Sequence, residues 1–200
     1  MKKALASLCM LLCTATANAG GVDLALSNNT AHLSMLLNPH AFYQGGGSEV
    51  AFGGFISEEG DKLLHATLIA RGYRQSSTSQ YSLGAGIKAM YGDITIPAEN
   101  NNGAEAEETV GALALGFQAG MLISSSRHNP IEALIEGFIA PSITSFSDAE
   151  RFAELNARLQ IEIIPQAQAY VGYRRMRFNT TNFDNVRLDR SVHLGIKLTF

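Results

Sequence analysis

The sequence predicts an all-β fold, a transmembrane antiparallel up-and-down β-barrel of ten strands, on three observations. Apolar and polar residues alternate through segment after segment of the 200-residue chain. No stretch after residue 19 holds the roughly 18 continuous apolar residues of a membrane-spanning helix. The chain stops on an alternating segment, His193-Leu194-Gly195-Ile196-Lys197-Leu198-Thr199-Phe200, whose last residue is aromatic. In lipid every backbone N–H and C=O must be bonded within the protein, so a chain without such a helix can span only as a closed barrel.

The amino terminus is set aside first. Met1-Lys2-Lys3 is basic, Ala4 to Cys13 is an apolar run too short to cross a bilayer, and Ala17-Asn18-Ala19 is a small-x-small site. This is the pattern of a secretory signal peptide, residues 1–19, cut before Gly20. Leu8 precedes Cys9 and Leu12 precedes Cys13, where a lipoprotein signal needs a small residue. Both cysteines would leave with this segment. Residues 20–200 then form one domain without disulfide, thiolate nucleophile or cysteine-bound metal. Losing Lys2 and Lys3 leaves 13 basic against 18 acidic residues, a net charge of −5. A mildly acidic chain without a basic stripe predicts no nucleic-acid partner.

The strands follow in order. Val22, Leu24 and Leu26 alternate, Asn28-Asn29 turns, and Leu33, Met35 and Leu37 alternate again, which makes a first hairpin. Without that hairpin the count falls to eight, with a periplasmic arm. Ser48–Ser57 and Lys62–Arg74 flank the turn Glu58-Glu59-Gly60-Asp61. Tyr81–Gly92 places Leu83, Ala85, Ile87 and Ala89 on one face between two tyrosines. Thr109–Ile123 and Ile131–Ala140 follow. Ala153–Ile163 sorts Leu155, Leu159 and Ile161 from Glu154, Asn156, Arg158 and Glu162, which a period of two achieves and a helical period does not. Gln166–Arg177 and Arg187–Phe200 complete the set. Each is near the roughly 9 to 11 residues that a tilted membrane strand requires. All five prolines fall in connections or at strand edges, where no ladder N–H is lost.

Such barrels have short periplasmic turns and longer outer loops. Counting back from a periplasmic Phe200, Asn179–Val186, Ser142–Arg151 and Asp93–Glu108 are outer; Ile164-Pro165, Ser124–Asn129 and Gln75–Ser79 are periplasmic. Asn38–Gly47 is long for a periplasmic turn. Gly195, Leu198 and Phe200 carry the pattern of a carboxyl-terminal assembly signal.

Glu136-Gly137-Phe138-Ile139-Ala140-Pro141-Ser142, Ser145-Phe146-Ser147-Asp148-Ala149 and Ala169-Tyr170-Val171-Gly172-Tyr173-Arg174 resemble the YfaZ family of outer-membrane proteins. Ser82-Leu83-Gly84-Ala85-Gly86-Ile87 and Gly111-Ala112-Leu113-Ala114-Leu115-Gly116 are similar to it as well. The resemblance spans most of residues 20–200. It implies a small barrel in the outer membrane of a Gram-negative bacterium, and brings no catalytic residues.

Strand parity sends Glu132, Glu136, Glu154, Arg158, Glu162, Arg174 and Lys197 inward, with Arg71, Lys88 and Asp189. Mixed signs predict a lumen filled by ion pairs and water; the alternative is a selectivity lining. Ten strands enclose far less than the 16 to 18 of porins. Arg175, Arg177, Arg187 and Arg190 lie near the outer rim, and of these Arg175, Arg177 and Arg190 fall on the lipid-facing parity. There an arginine costs about 0–1 kcal/mol, and its guanidinium can grip phosphate. Contact with lipopolysaccharide is the expectation.

Other chemistry is less marked. Asp93–Glu108 is rich in oxygen ligands but lacks the spacing and turn glycine of an EF-hand loop. His32, His40, His65, His128 and His193 form no H-x-x-x-H pair. Ser191, His193 and Asp189 lie on one strand and have the residue types of a nucleophile, base and orienter. The expected role is structural or envelope-associated, without enzyme activity, metal or cofactor. The alternatives are a narrow channel for ions or small solutes and a lipid-modifying enzyme. Expected partners of a monomer are outer-membrane lipid, the barrel-assembly machinery and periplasmic chaperones.

Overall fold

The computed structural model describes residues 20–37, 47–75, 80–96, 106–124 and 129–200. The expected signal segment and most of four connections lie outside them, with His40, His128, Glu99–Asn102 and Glu105. The strands are β1 (Gly20–Leu26), β2 (Thr30–Leu37), β3 (Gly47–Ser57), β4 (Lys62–Gln75), β5 (Gln80–Ile96), β6 (Ala106–Ser124), β7 (Ile131–Ala140), β8 (Ser145–Ser147), β9 (Ala149–Ile164), β10 (Ala167–Thr180) and β11 (Val186–Thr199). Among the described residues no helix is long and apolar enough to cross a membrane.

All of these strands except β8 close into a ten-stranded antiparallel barrel. Neighbours in sequence pair with each other, and β1 returns to β11 to close the ring. At that seam the Gly20 amide donates to the Phe200 carbonyl at 2.9 Å, and the Phe200 amide donates to the Gly20 carbonyl at 2.8 Å. The first hairpin is therefore part of the wall, and the count is ten. Closure leaves no barrel strand with an unpaired edge.

Two outer connections differ from expectation. β5 continues to Ile96 and β6 begins at Ala106, paired from Asp93↔Thr109 to Ile96↔Ala106. Asp93, Glu107 and Glu108 thus stand in strands, not in the loop that Asp93–Glu108 was expected to form. Within Ser142–Arg151, a 3-10 turn at Ser142–Thr144 leads into β8, which pairs with Val110–Ala112 at the top of β6, and β9 already begins at Ala149. The extra paired length arises because antiparallel partners satisfy each other's amides better than open loops do.

Large apolar side chains point outward. Leu64, Leu83, Leu115, Ile139 and Leu194 are 62–72% exposed, each flanked in sequence by more buried neighbours. One irregularity changes the faces. Met176 pairs with Asp189, yet Arg177 pairs with Arg187, so Leu188 is an extra residue in β11. This bulge reverses the parity beyond it. Leu188 and Val186 turn inward, and Arg187 turns out.

Candidate functional site

The interior divides into two storeys. The outer half, away from the Gly20–Phe200 seam, is apolar. Ile94 and Ile96 end β5, Val110, Ala112 and Ala114 line the start of β6, and Phe138 and Ala140 end β7. Phe152, Met176, Phe178, Val186 and Leu188 join the cluster from β9, β10 and β11, and Phe55, Leu63 and Met90 join it from β3, β4 and β5. Ile94, Ile96, Val110 and Phe178 are wholly buried. The Phe152 and Phe178 rings meet at 4.8 Å between centroids, within the range favoured by aromatic pairs. Above the plug the connections are tied to their neighbours and to β6. Thr181 donates its amide to Asp148 O at 2.9 Å, and Asn182 Nδ2 donates to Glu108 Oε1 at 2.8 Å.

The storey toward the seam is polar. Lys88 Nζ donates to Glu154 Oε2 at 2.5 Å and lies 5.1 Å from the centre of the Phe138 ring, the floor of the plug. Lys197 Nζ donates to Glu49 Oε2 at 2.7 Å. Arg158 reaches Asp23 at 3.4 Å and lies 5.3 Å from the Tyr170 ring centre, while the Tyr170 hydroxyl donates to Asp23 in a short bond. Arg174 and Asp189 approach to 3.8 Å. Glu136 accepts from Gln118 and Asn156, and Glu132 accepts from Gln160 at 2.6 Å. His32 and His65 stack at 4.7 Å between centroids. A cavity among these groups is about 60 Å³, room for a few waters.

Of the residues expected inward, Glu132, Glu136, Glu154, Arg158, Arg174 and Lys197 join this network, with Lys88 and Asp189. Arg71 is inward too and donates to the Tyr73 hydroxyl at 3.2 Å. Glu162 is only half-buried, and its carboxylate has no partner among the described residues. The expectation of charges alone missed the apolar storey. Its signal was present: Phe138, Phe152, Met176 and Phe178 are apolar residues on the inward parity, clustered at one end of their strands.

The nucleophile constellation is not assembled. Ser191 Oγ donates to Asp189 Oδ1 at 2.5 Å, and neither ring nitrogen of His193 has a hydrogen-bond partner among the described residues. No group of three or more metal-ligating side chains converges among the described residues.

On the outer wall, Arg175, Arg177 and Arg190 are exposed, as expected. Arg175 stands directly opposite Arg190, and Arg177 opposite Arg187. Gly195 lies on β11 beneath the ring of Tyr170, and a Cβ there would overlap that ring. Leu198 and Phe200 face outward at the seam, 44% and 58% exposed.

No family model matches the chain, and no curated protein matches it. Two solved structures match the chain. The β domain of the Bordetella autotransporter BrkA aligns over 92% of this chain and 100% of that chain at 13% identity, with a TM-score of 0.46. The NanC porin aligns over the same shares at 10% identity, with a TM-score of 0.39.

Proposed function

We propose that this chain is a small integral outer-membrane β-barrel of structural or envelope-associated role whose interior does not conduct. The observation that carries the non-conducting reading is the apolar outer storey. A solute path would have to pass through side chains that are almost fully buried and packed on one another. The polar storey supports the same reading, since Lys88–Glu154, Lys197–Glu49 and Arg158–Asp23 pair across the lumen instead of lining an open path.

The membrane reading rests on the exterior. Exposed leucines, isoleucines and phenylalanines ring the whole barrel, far beyond the few hundred Å² of apolar patch that a soluble monomer carries. Lipid is the solvent that such a wall requires. The YfaZ-like segments and the signal-like start of the chain agree with this location. Export would bring periplasmic chaperones and the barrel-assembly machinery as partners, with the Gly195–Phe200 strand as the element they recognise.

Planar-bilayer recording of the refolded protein tests the closed interior. We expect no steady unitary conductance in molar salt. A stable open level would overturn the filled-lumen reading and restore the narrow channel in its place.

A further inference from the structure

We propose that the outward face of β9, β10 and β11, at the end opposite the Gly20–Phe200 seam, is a binding site for the phosphorylated glycolipid of the outer leaflet. The site consists of Arg151, Arg175, Arg177, Arg187 and Arg190. The proposal goes beyond the structural role above and does not depend on whether the lumen conducts.

Three observations carry it. The first is like-charge juxtaposition. Arg175 faces Arg190 and Arg177 faces Arg187 as direct cross-strand partners. Like charges in that relation repel. The bulge at Leu188 creates the second pair by turning Arg187 outward. Arg151 adds a fifth cation beside them, paired through its backbone with Asn179. The second observation is that all five are exposed, and none has an ion pair or side-chain hydrogen bond among the described residues. The chain thus holds four guanidinia in facing pairs, and no carboxylate among the described residues neutralises them. Glu59 lies along the same groove as Arg187 and Arg190 but bonds to neither.

The third observation is level. On β10 the outward residues run Val171, Tyr173, Arg175, Arg177; on β11 they run Leu194, Val192, Arg190. Tyr173 pairs with Val192, one step below the Arg175–Arg190 pair. The switch from apolar to cationic therefore occurs at one height on both strands, as it must where acyl chains give way to headgroups. A groove of about 580 Å³, lined in part by Ile139, Pro141, Arg151, Arg175 and Arg177, opens beside the patch. Guanidinium forks bind phosphate bidentately, and two facing forks present one phosphate with donors from both sides. Five cations across three strands suit a headgroup with more than one phosphate. The apolar wall beneath would take its acyl chains.

The test titrates the folded mature protein in detergent with bis-phosphorylated lipid A, with lipid A stripped of both phosphates, and with phosphatidylglycerol micelles. We expect the bis-phosphorylated form to bind about tenfold or more tightly than the stripped form, given the strength of hydrogen bonds to charged groups. The variant R175Q/R177Q/R190Q should lose that preference and co-purify with less lipopolysaccharide, while its heat-dependent gel mobility shows a folded barrel. Equal binding of the stripped lipid overturns the proposal, and needs no variant. So does a folded triple variant that retains as much lipopolysaccharide as the parent. Phosphatidylglycerol binding as tightly as lipid A would reduce the patch to a general anionic-lipid contact, and displacement by millimolar inorganic phosphate alone would reduce it to a free-phosphate site; either result rejects the glycolipid.

Discussion

Single side chains inside the barrel carry unequal risk. Lys88 and Glu154 are buried and bonded to each other, with side-chain exposures of 7% and 5%. Removing one partner strands the other charge, which typically costs about 3–5 kcal/mol, whereas replacing both with apolar groups is often neutral. We expect E154A to lower the urea midpoint of the folded barrel markedly, and K88M/E154L to recover most of that loss. Equal midpoints for the two variants would show that the pair is not the source of the cost. Gly195 makes a different kind of demand. Tyr170 lies against its backbone, and the same ring is held by Asp23 and Arg158. Adding a methyl group by G195A forces the ring aside, an overpacking cost of about 1–3 kcal/mol. Its unfolding temperature on semi-native gels should fall; an unchanged temperature would mean that the ring slides away freely.

At the scale of elements, turns and irregularities set the outer end. The β3–β4 turn closes on Asp61, which accepts from Ser57 Oγ at 2.7 Å and from the Thr95 amide of β5 at 2.8 Å. Gly60 supplies the positive φ, 102°, that this turn needs. Burial raises the Asp61 carboxyl above its usual range, against the lowering effect of those two hydrogen bonds. A carboxyl with a raised folded-state value binds its proton more tightly when folded, so it favours the fold at low pH and loses that contribution as pH rises through the folded value. D61N keeps an acceptor for Thr95 without the charge, so it should match or exceed the parent in stability at neutral pH, the difference shrinking as pH falls. D61A leaves the Thr95 amide unpaired and should cost about 1–3 kcal/mol. Urea titrations of the three proteins at two pH values check both directions. The bulge at Leu188 works at the same scale. One added residue moves Leu188 and Val186 into the plug and Arg187 onto the wall, so one irregularity serves both the interior and the rim.

The whole molecule is patterned in two directions. Radially it is apolar outside and polar inside over the storey near the seam. Along its axis the interior changes from ion pairs to a dry plug, and on β9, β10 and β11 the exterior changes from apolar to arginine. The radial pattern calls for lipid, and the axial one distinguishes the two ends. If the termini lie in the periplasm, then Thr181 in the β10–β11 connection faces the medium and Gln166 in the β9–β10 turn faces the periplasm. Residues 20–200 hold no cysteine, so single cysteines report cleanly. We expect T181C to react with an impermeant maleimide on intact cells and Q166C only after the outer membrane is permeabilised. The reverse result would invert the orientation and place the arginine patch in the inner leaflet, away from its proposed ligand.

Fold class, strand order and the outward face were legible in the chain itself. A period of two is a local property, and each strand from Val22 to Phe200 displays it without reference to any partner. The inward placement of Glu154, Arg158, Arg174 and Lys197 followed from the same parity. What pairs with what was not legible: Lys197 meets Glu49 and Arg158 meets Asp23 across nearly the whole chain, and only barrel closure brings them together. The bulge at Leu188 was hidden as well, because an extra residue is defined by the partner strand that lacks one. The axial division of the lumen was legible only in part, through the inward parity of its apolar residues. Phe138, Phe152 and Phe178 are scattered in sequence, and strand register alone sets them at one height.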